Sequence, residues 1–130
     1  MGKTKNILLI ITSIFLFGFI GFQDDIWKAP VAAKKIKNPV IDKKASTIRG
    51  KKLYRSRCAV CHGRTGLGDG PGGKALVPKP ESLLTKLVQN QTDGELFWKI
   101  TNGRNDMIKW GPILNKKQRW DLVNYVRTLK

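Results

Sequence analysis

Two cysteines and the single histidine of this 130-residue chain fall within five consecutive positions, Cys58-Ala59-Val60-Cys61-His62, at the head of the stretch CAVCHGRTGLGDGP. At this spacing the two thiols and the imidazole share one face if the segment is a helical turn. The grouping supports three chemistries. Disulfide exchange at a C-x-x-C is expected in a βαβ setting, which the rest of the chain does not offer. Structural zinc needs four N or S ligands, and only three are present. Covalent attachment of c-type haem uses this set in this order, each thiol forming a thioether and the histidine ligating iron. Cys58, Cys61 and His62 are read in those roles, with His62 as a metal ligand and haem c as the one cofactor.

An iron held by one histidine has a second axial face. The chain has no other histidine, and of its two methionines Met1 belongs to the leader described below. Met107 is left, in the polar, non-helical stretch NGRNDMIKW. A lone methionine usually fills a core gap, but Asn105, Asp106 and Lys109 are poor core neighbours, so Met107 is read as the sixth ligand. A His/Met pair closes both axial positions and raises the potential, which suits carrying electrons rather than binding substrate. Trp110, just beyond, is read as a wall of the haem pocket, with plain core packing as its alternative.

Those residues need elements to hold them. Ser46 or Thr47 is a plausible N-cap before IRGKKLYRSRC, whose Ile48, Leu53 and Tyr54 form an apolar stripe. The glycine-rich stretch 63–73 reads as a loop, and a short helix is expected after Pro80, since proline suits a first turn. Thr92 and Glu95 form a capping box ahead of Leu96, Phe97 and Ile100, with Gly103 as the stop. Asn115 and Gln118 repeat that capping pattern before a last helix reaching Leu129. Trp98 and Trp120 are assigned to packing. No strand pattern or repeat is found, so the fold class is all-α. The domain spans residues 46–130, few enough that a bound prosthetic group is the expected staple of its core.

Ahead of it lie two further segments. Residues 1–22 join Lys3 and Lys5 to an uncharged run, Ile7 to Phe22, followed by Asp24 and Asp25. This reads as an export signal, either cleaved or kept as a membrane anchor, because the run lies between the length of a signal core and the ~20 residues of a full span. Residues 23–45 read as an extended basic arm, its X-Pro steps biased toward β or polyproline II. Trp27 is its large apolar anchor, and Ile36, Val40 and Ile41 suggest that it lies on the domain.

Lys and Arg total 25 against 9 Asp and Glu, a net charge of +16. Such a surface attracts anions. Export and the lack of any nucleic-acid module argue against nucleic acid. The implied compartment is periplasmic or otherwise extracytoplasmic, with a possible tether to the inner membrane through residues 7–22.

Residues 46–130 resemble the small monohaem class I cytochromes c, and most closely the group carrying C-x-x-C-H-G-x-x-G-x-G-D-G-P, related to the cytochrome domains of cbb3-type oxidases. Gly50 and Tyr54 match that family's pair on its first helix, and Leu122 and Tyr125 the partner pair on its last. A glycine without Cβ lets those helices cross closely. The resemblance implies a cytochrome c fold with crossed terminal helices around one haem. It further implies that the Pro71 carbonyl accepts a hydrogen bond from His62, a role open also to Pro78 or Pro80. Such a bond would orient the imidazole and strengthen its donation to iron. Ile108 departs from the proline common after the ligand methionine. The expected function is that of an exported carrier of single electrons, not an enzyme, working between acidic-surfaced redox proteins as donor and acceptor and taking no small-molecule substrate. A membrane-tethered haem subunit of an oxidase or reductase is the chief alternative, and a haem-based gas sensor a further one. Lys51, Lys52, Lys74, Lys109, Lys116 and Lys117 would steer docking.

Overall fold

A computed structural model describes residues 26–130. Among these residues there are five α-helices, two 3-10 turns and no strand, only an isolated bridge between Arg104 and Met107. The helices are α1 (Lys43–Arg57), α2 (Ala59–His62), α3 (Lys86–Gln89), α4 (Asp93–Asn102) and α5 (Lys116–Val126). The leader, residues 1–22, lies outside the described residues. Among the described ones no helix is long and apolar enough to cross a membrane.

α1 begins before the expected cap. Asp42 is its N-cap, accepting from the Ala45 amide at 2.9 Å. Ser46 sits inside the helix because its hydroxyl is used elsewhere: it donates to Asp121 at 2.5 Å and is fully buried. The two capping boxes are formed as expected, Thr92 with Glu95 opening α4 and Asn115 with Gln118 opening α5. Gly103 closes α4 with its amide on the Lys99 carbonyl. α5 stops at Val126, short of Leu129. The helix expected after Pro80 starts later, at Lys86 behind Thr85. Pro80 is used instead as a wall of the glycine loop: a Cβ on Gly68 would meet its carbonyl oxygen at 2.3 Å, and one on Gly73 its ring at 2.8 Å.

α5 crosses α1 at the centre of the molecule. At the crossing a Cβ on Gly50 would lie 1.9 Å from the Asp121 carbonyl oxygen and 2.9 Å from Tyr125 Cβ. The family glycine is thus required by backbone touching backbone. Tyr54 and Tyr125 pack beside it with ring centroids 5.0 Å apart. Every residue of α5 from Trp120 to Val126 is buried. Its apolar side chains divide between two clusters, Trp120, Val123 and Val126 with Phe97, Leu96 and Val88, and Leu122 and Tyr125 with Tyr54, Trp110 and Leu114. Phe97 stacks on Trp120 at 4.1 Å.

The buried stretch Trp120–Val126 of α5 carries two polar residues, Asp121 and Asn124, which find their partners inside the protein. Asp121 accepts from Ser46 and from both Nε and one terminal nitrogen of Arg49, each of these at 2.9 Å. Asn124 donates to the Ser46 hydroxyl at 2.7 Å and accepts from Asn38 at 2.8 Å.

The segment before α1 is not uniformly extended. Val31–Lys35 form a 3-10 turn with Ala33 buried, and α1 already starts at Lys43. Val40 packs on the core, while Ile41 is almost wholly exposed and anchors nothing.

Candidate haem attachment site

α1 delivers Cys58, and a single further turn, α2, delivers Cys61 and His62. The Cys58 carbonyl accepts from the amides of both Cys61, at 3.1 Å, and His62, at 2.9 Å, so the three side chains are carried by one tight helical turn. Gly63 ends it at φ 79°, its amide on the Ala59 carbonyl. Both cysteines are half-buried, and they are not joined to each other in a disulfide. Among the described residues no group of three or more His, Cys, Asp and Glu side chains is gathered to hold a bare metal ion. This arrangement suits attachment along a turn better than tetrahedral zinc.

The loop that follows folds back on this turn. The Gly68 amide reaches the His62 carbonyl at 2.9 Å and the Gly70 amide the Cys61 carbonyl at 3.1 Å. A Cβ on Gly70 would come within 2.7 Å of backbone atoms of Ala59, Val60 and Cys61, and one on Gly72 within 3.5 Å of the Cys61 sulfur. The glycines are therefore there to let loop backbone lie on turn backbone. Tyr54 ties this region to α1, donating from its buried hydroxyl to the Gly63 carbonyl at 2.8 Å.

Burial sets the protonation states. The Cys58 thiol is pushed up to about 12 by burial and then by the neighbouring Cys61. Burial also lowers His62, partly offset by the Glu81 backbone carbonyl that faces the ring. Burial thus favours the neutral imidazole, the form that donates to a metal. Its Nδ1 is buried with no hydrogen-bond partner. A buried polar atom without a partner is costly unless a ligand or a rearranged carbonyl completes it.

Of the other expected residues, Pro71 is exposed and opens the 3-10 turn Pro71–Gly73. Trp110 is buried in a core cluster against which Cys58 and Ala59 also pack, a placement that fits both a pocket wall and plain core packing. Met107 is half-buried in a tight reversal in which its amide and carbonyl both pair with Arg104, at 2.9 and 3.2 Å. Trp110 follows that reversal by three residues, and its amide is held by the Ile100 carbonyl of α4. Sequence spacing does not reveal the Tyr54 hydroxyl, the Glu81 carbonyl or the backbone-to-backbone fit of Gly70. Only the G-D-G-P run hinted at the last.

The family model described as cytochrome c oxidase, cbb3-type, subunit III, matches residues 45–126. The chain belongs to that family. It is also similar to a cytochrome c-553-like protein of Synechocystis sp., 25% identical over 122 residues that cover 93% of this chain and 94% of that one. Covalent haem c with its iron is the cofactor of such cytochromes. The cytochrome's own residues fit it: two free thiols on one turn, an imidazole with an orphaned buried nitrogen, and a buried tryptophan in the cluster against which Cys58 packs. Its coarse function is that of a haem-based electron carrier.

Proposed function

We propose that Cys58 and Cys61 hold one haem c through thioether bonds, and that His62 and Met107 are the axial ligands of its iron. In this reading the exported domain shuttles single electrons between larger, acidic-surfaced redox proteins and performs no catalysis of its own. The observation that carries it is the His62 imidazole, half-buried with its buried Nδ1 lacking a partner, on the same turn as both thiols. The bound group supplies a one-electron iron couple. The chain's own part is to orient and exclude water. The resemblance makes the Pro71 carbonyl the acceptor that would complete Nδ1, with Pro78 and Pro80 as alternatives. In this structure it is the Glu81 carbonyl that faces the ring. Trp110 would keep water out, and the Arg104–Met107 reversal would present the thioether sulfur.

The test is spectroscopic. The matured, oxidised protein should show a weak near-infrared sulfur-to-iron band, and its reduced form should not bind carbon monoxide. Met107→Ala should erase the band, open the iron to carbon monoxide and lower the potential by a large share of the about 0.8 V that axial ligands command. An unaltered spectrum and potential in Met107→Ala would refute the ligand assignment.

A second reading, that of a fixed oxidase or reductase subunit tethered by residues 7–22, draws on the family description itself, which names an oxidase subunit.

A further inference from the structure

The arm before α1 makes contacts that neither packing of the core nor attachment of a cofactor requires, and they all fall on α4 or its neighbours. Gly94, in the first turn of α4, lies directly under the arm: a Cβ there would meet the Ala33 carbonyl oxygen at 2.1 Å and that of Ile36 at 2.6 Å. Asn38 donates to Asp93, the first residue of α4, at 2.9 Å and to Asn124 of α5 at 2.8 Å. Trp27 packs edge-on against Trp98 with centroids 6.5 Å apart, and the Lys99 ammonium sits over the Trp27 ring at 5.1 Å. The arm therefore grips α4 at its start and again at its middle.

The far end of α4 holds Met107. The Asn102 side chain donates to the Trp98 carbonyl at 2.8 Å, and the Gly103 amide to the Lys99 carbonyl at 2.9 Å. Gly103, at φ 60°, lies so close under the reversal that a Cβ would meet the Met107 carbonyl oxygen at 2.3 Å. The residues under Trp27 are thus the ones whose carbonyls cap the helix end on which the Met107 peptide rests. The residues around Met107 face solvent: Asn105, Asp106, Ile108 and Lys109 are all exposed.

We propose that the arm is a clamp that sets the position of the Met107 loop through α4, with Trp27 as its positioning residue. The inference rests on Met107 being an axial ligand. Trp27 does not touch the iron site. It holds Trp98 and Lys99 still, and they hold the turn that aims the sulfur.

The test uses the full-length, matured protein and imidazole as a competing ligand. Trp27→Ala should raise the apparent affinity for imidazole, read as loss of the sulfur-to-iron band, by about tenfold, the weight of one aromatic pair. It should also speed amide hydrogen exchange at Arg104 and Met107, and Trp27→Phe should restore both. Arg49→Ala serves as the comparison, since it weakens the α1–α5 contact away from α4. It should lower the melting temperature without changing imidazole affinity. Unchanged affinity and exchange in Trp27→Ala would overturn the clamp, as would equal gains in Trp27→Ala and Arg49→Ala. A wild-type protein without the band would instead overturn the Met107 ligand reading.

Discussion

The two segments that would face the iron are held in opposite ways. The Cys58–Gly73 segment is fixed from several sides at once: by the end of α1, by the Tyr54 hydroxyl, and by loop glycines whose backbone lies on the backbone of the turn. The Arg104–Met107 reversal is closed by two hydrogen bonds of its own and leans on the end of one helix. The attachment side is part of the fold, and the Met107 side hangs from it. A change on the first should be felt as stability, and a change on the second as ligation and potential with the fold intact.

The largest expected effect comes from breaking the first side. Gly70→Ala places a methyl 2.5 Å from the Val60 carbonyl oxygen and 2.7 Å from the Ala59 carbonyl oxygen and the Cys61 carbonyl carbon. None of these is a flexible side-chain end, so the loop must lift off the turn. Overpacking of this kind costs about 3 kcal/mol. The expected outcome is a sharp loss of matured protein and a melting temperature lowered by roughly 10 °C or more. A variant as stable as the parent would show the loop to be looser than its contacts imply.

A smaller effect is expected from acid, through the helix crossing that supports the attachment side. Burial pushes the Asp121 carboxyl up, but hydrogen bonds from Arg49 and Ser46 and the charges of Arg49 and Lys117 outweigh it, and it is held below the usual carboxylate range. A depressed folded-state value means that this stabilisation is complete above the unfolded value, about 3.9, and is lost as pH falls through the folded one. Asp93, depressed through Asn38 and Arg127 against its own burial, acts in the same sense. The melting temperature should therefore be insensitive to these groups near neutrality and decline below about pH 4. Asp121→Asn should flatten that decline. An acid limb as steep in Asp121→Asn as in the parent would assign it to other groups.

What the sequence shows in advance follows the same division between local and distant. Thioether attachment needs both thiols and the histidine within one turn, so the motif was legible as written. The boxes at Thr92 and Asn115 were legible because a cap and its partner stand three residues apart. The start of α1 is not legible locally, because Ser46 looks like a cap until its partner is known, and that partner, Asp121, lies 75 residues away. Pro80 looked like a helix start, but Gly68 and Gly73 use it as a wall. Trp27 was recognised as an anchor without its target, since nothing local to residues 26–30 points to Trp98. Gly50 shows how a resemblance can carry what spacing cannot, for its need for closeness is visible only where α5 passes over it.

The smallest and most conditional effect concerns docking, and it bears on which side meets the partner. Lys51 and Lys52 are exposed in the middle of α1, Lys74 just after the Pro71–Gly73 turn of the attachment side, Lys109 beside the Met107 reversal, and Lys116 and Lys117 at the start of α5. Lys117 is partly engaged by Asp121 at 3.5 Å. Exposed charges act over a Debye length of about 8 Å at physiological ionic strength, so they speed encounter more than they tighten the complex. A free carrier should transfer electrons more slowly to its partner as salt rises from low to moderate. Lys74→Glu and Lys109→Glu divide the two sides: the substitution on the docking side should lower the low-salt rate several-fold and reduce its salt dependence, and the other should do little. The rate should converge with that of the parent at high salt in both, because the site itself is untouched. A parent rate that is flat with salt, and indifferent to both substitutions, would mean that no encounter step is being measured, and a preassembled oxidase or reductase subunit would then be the better reading.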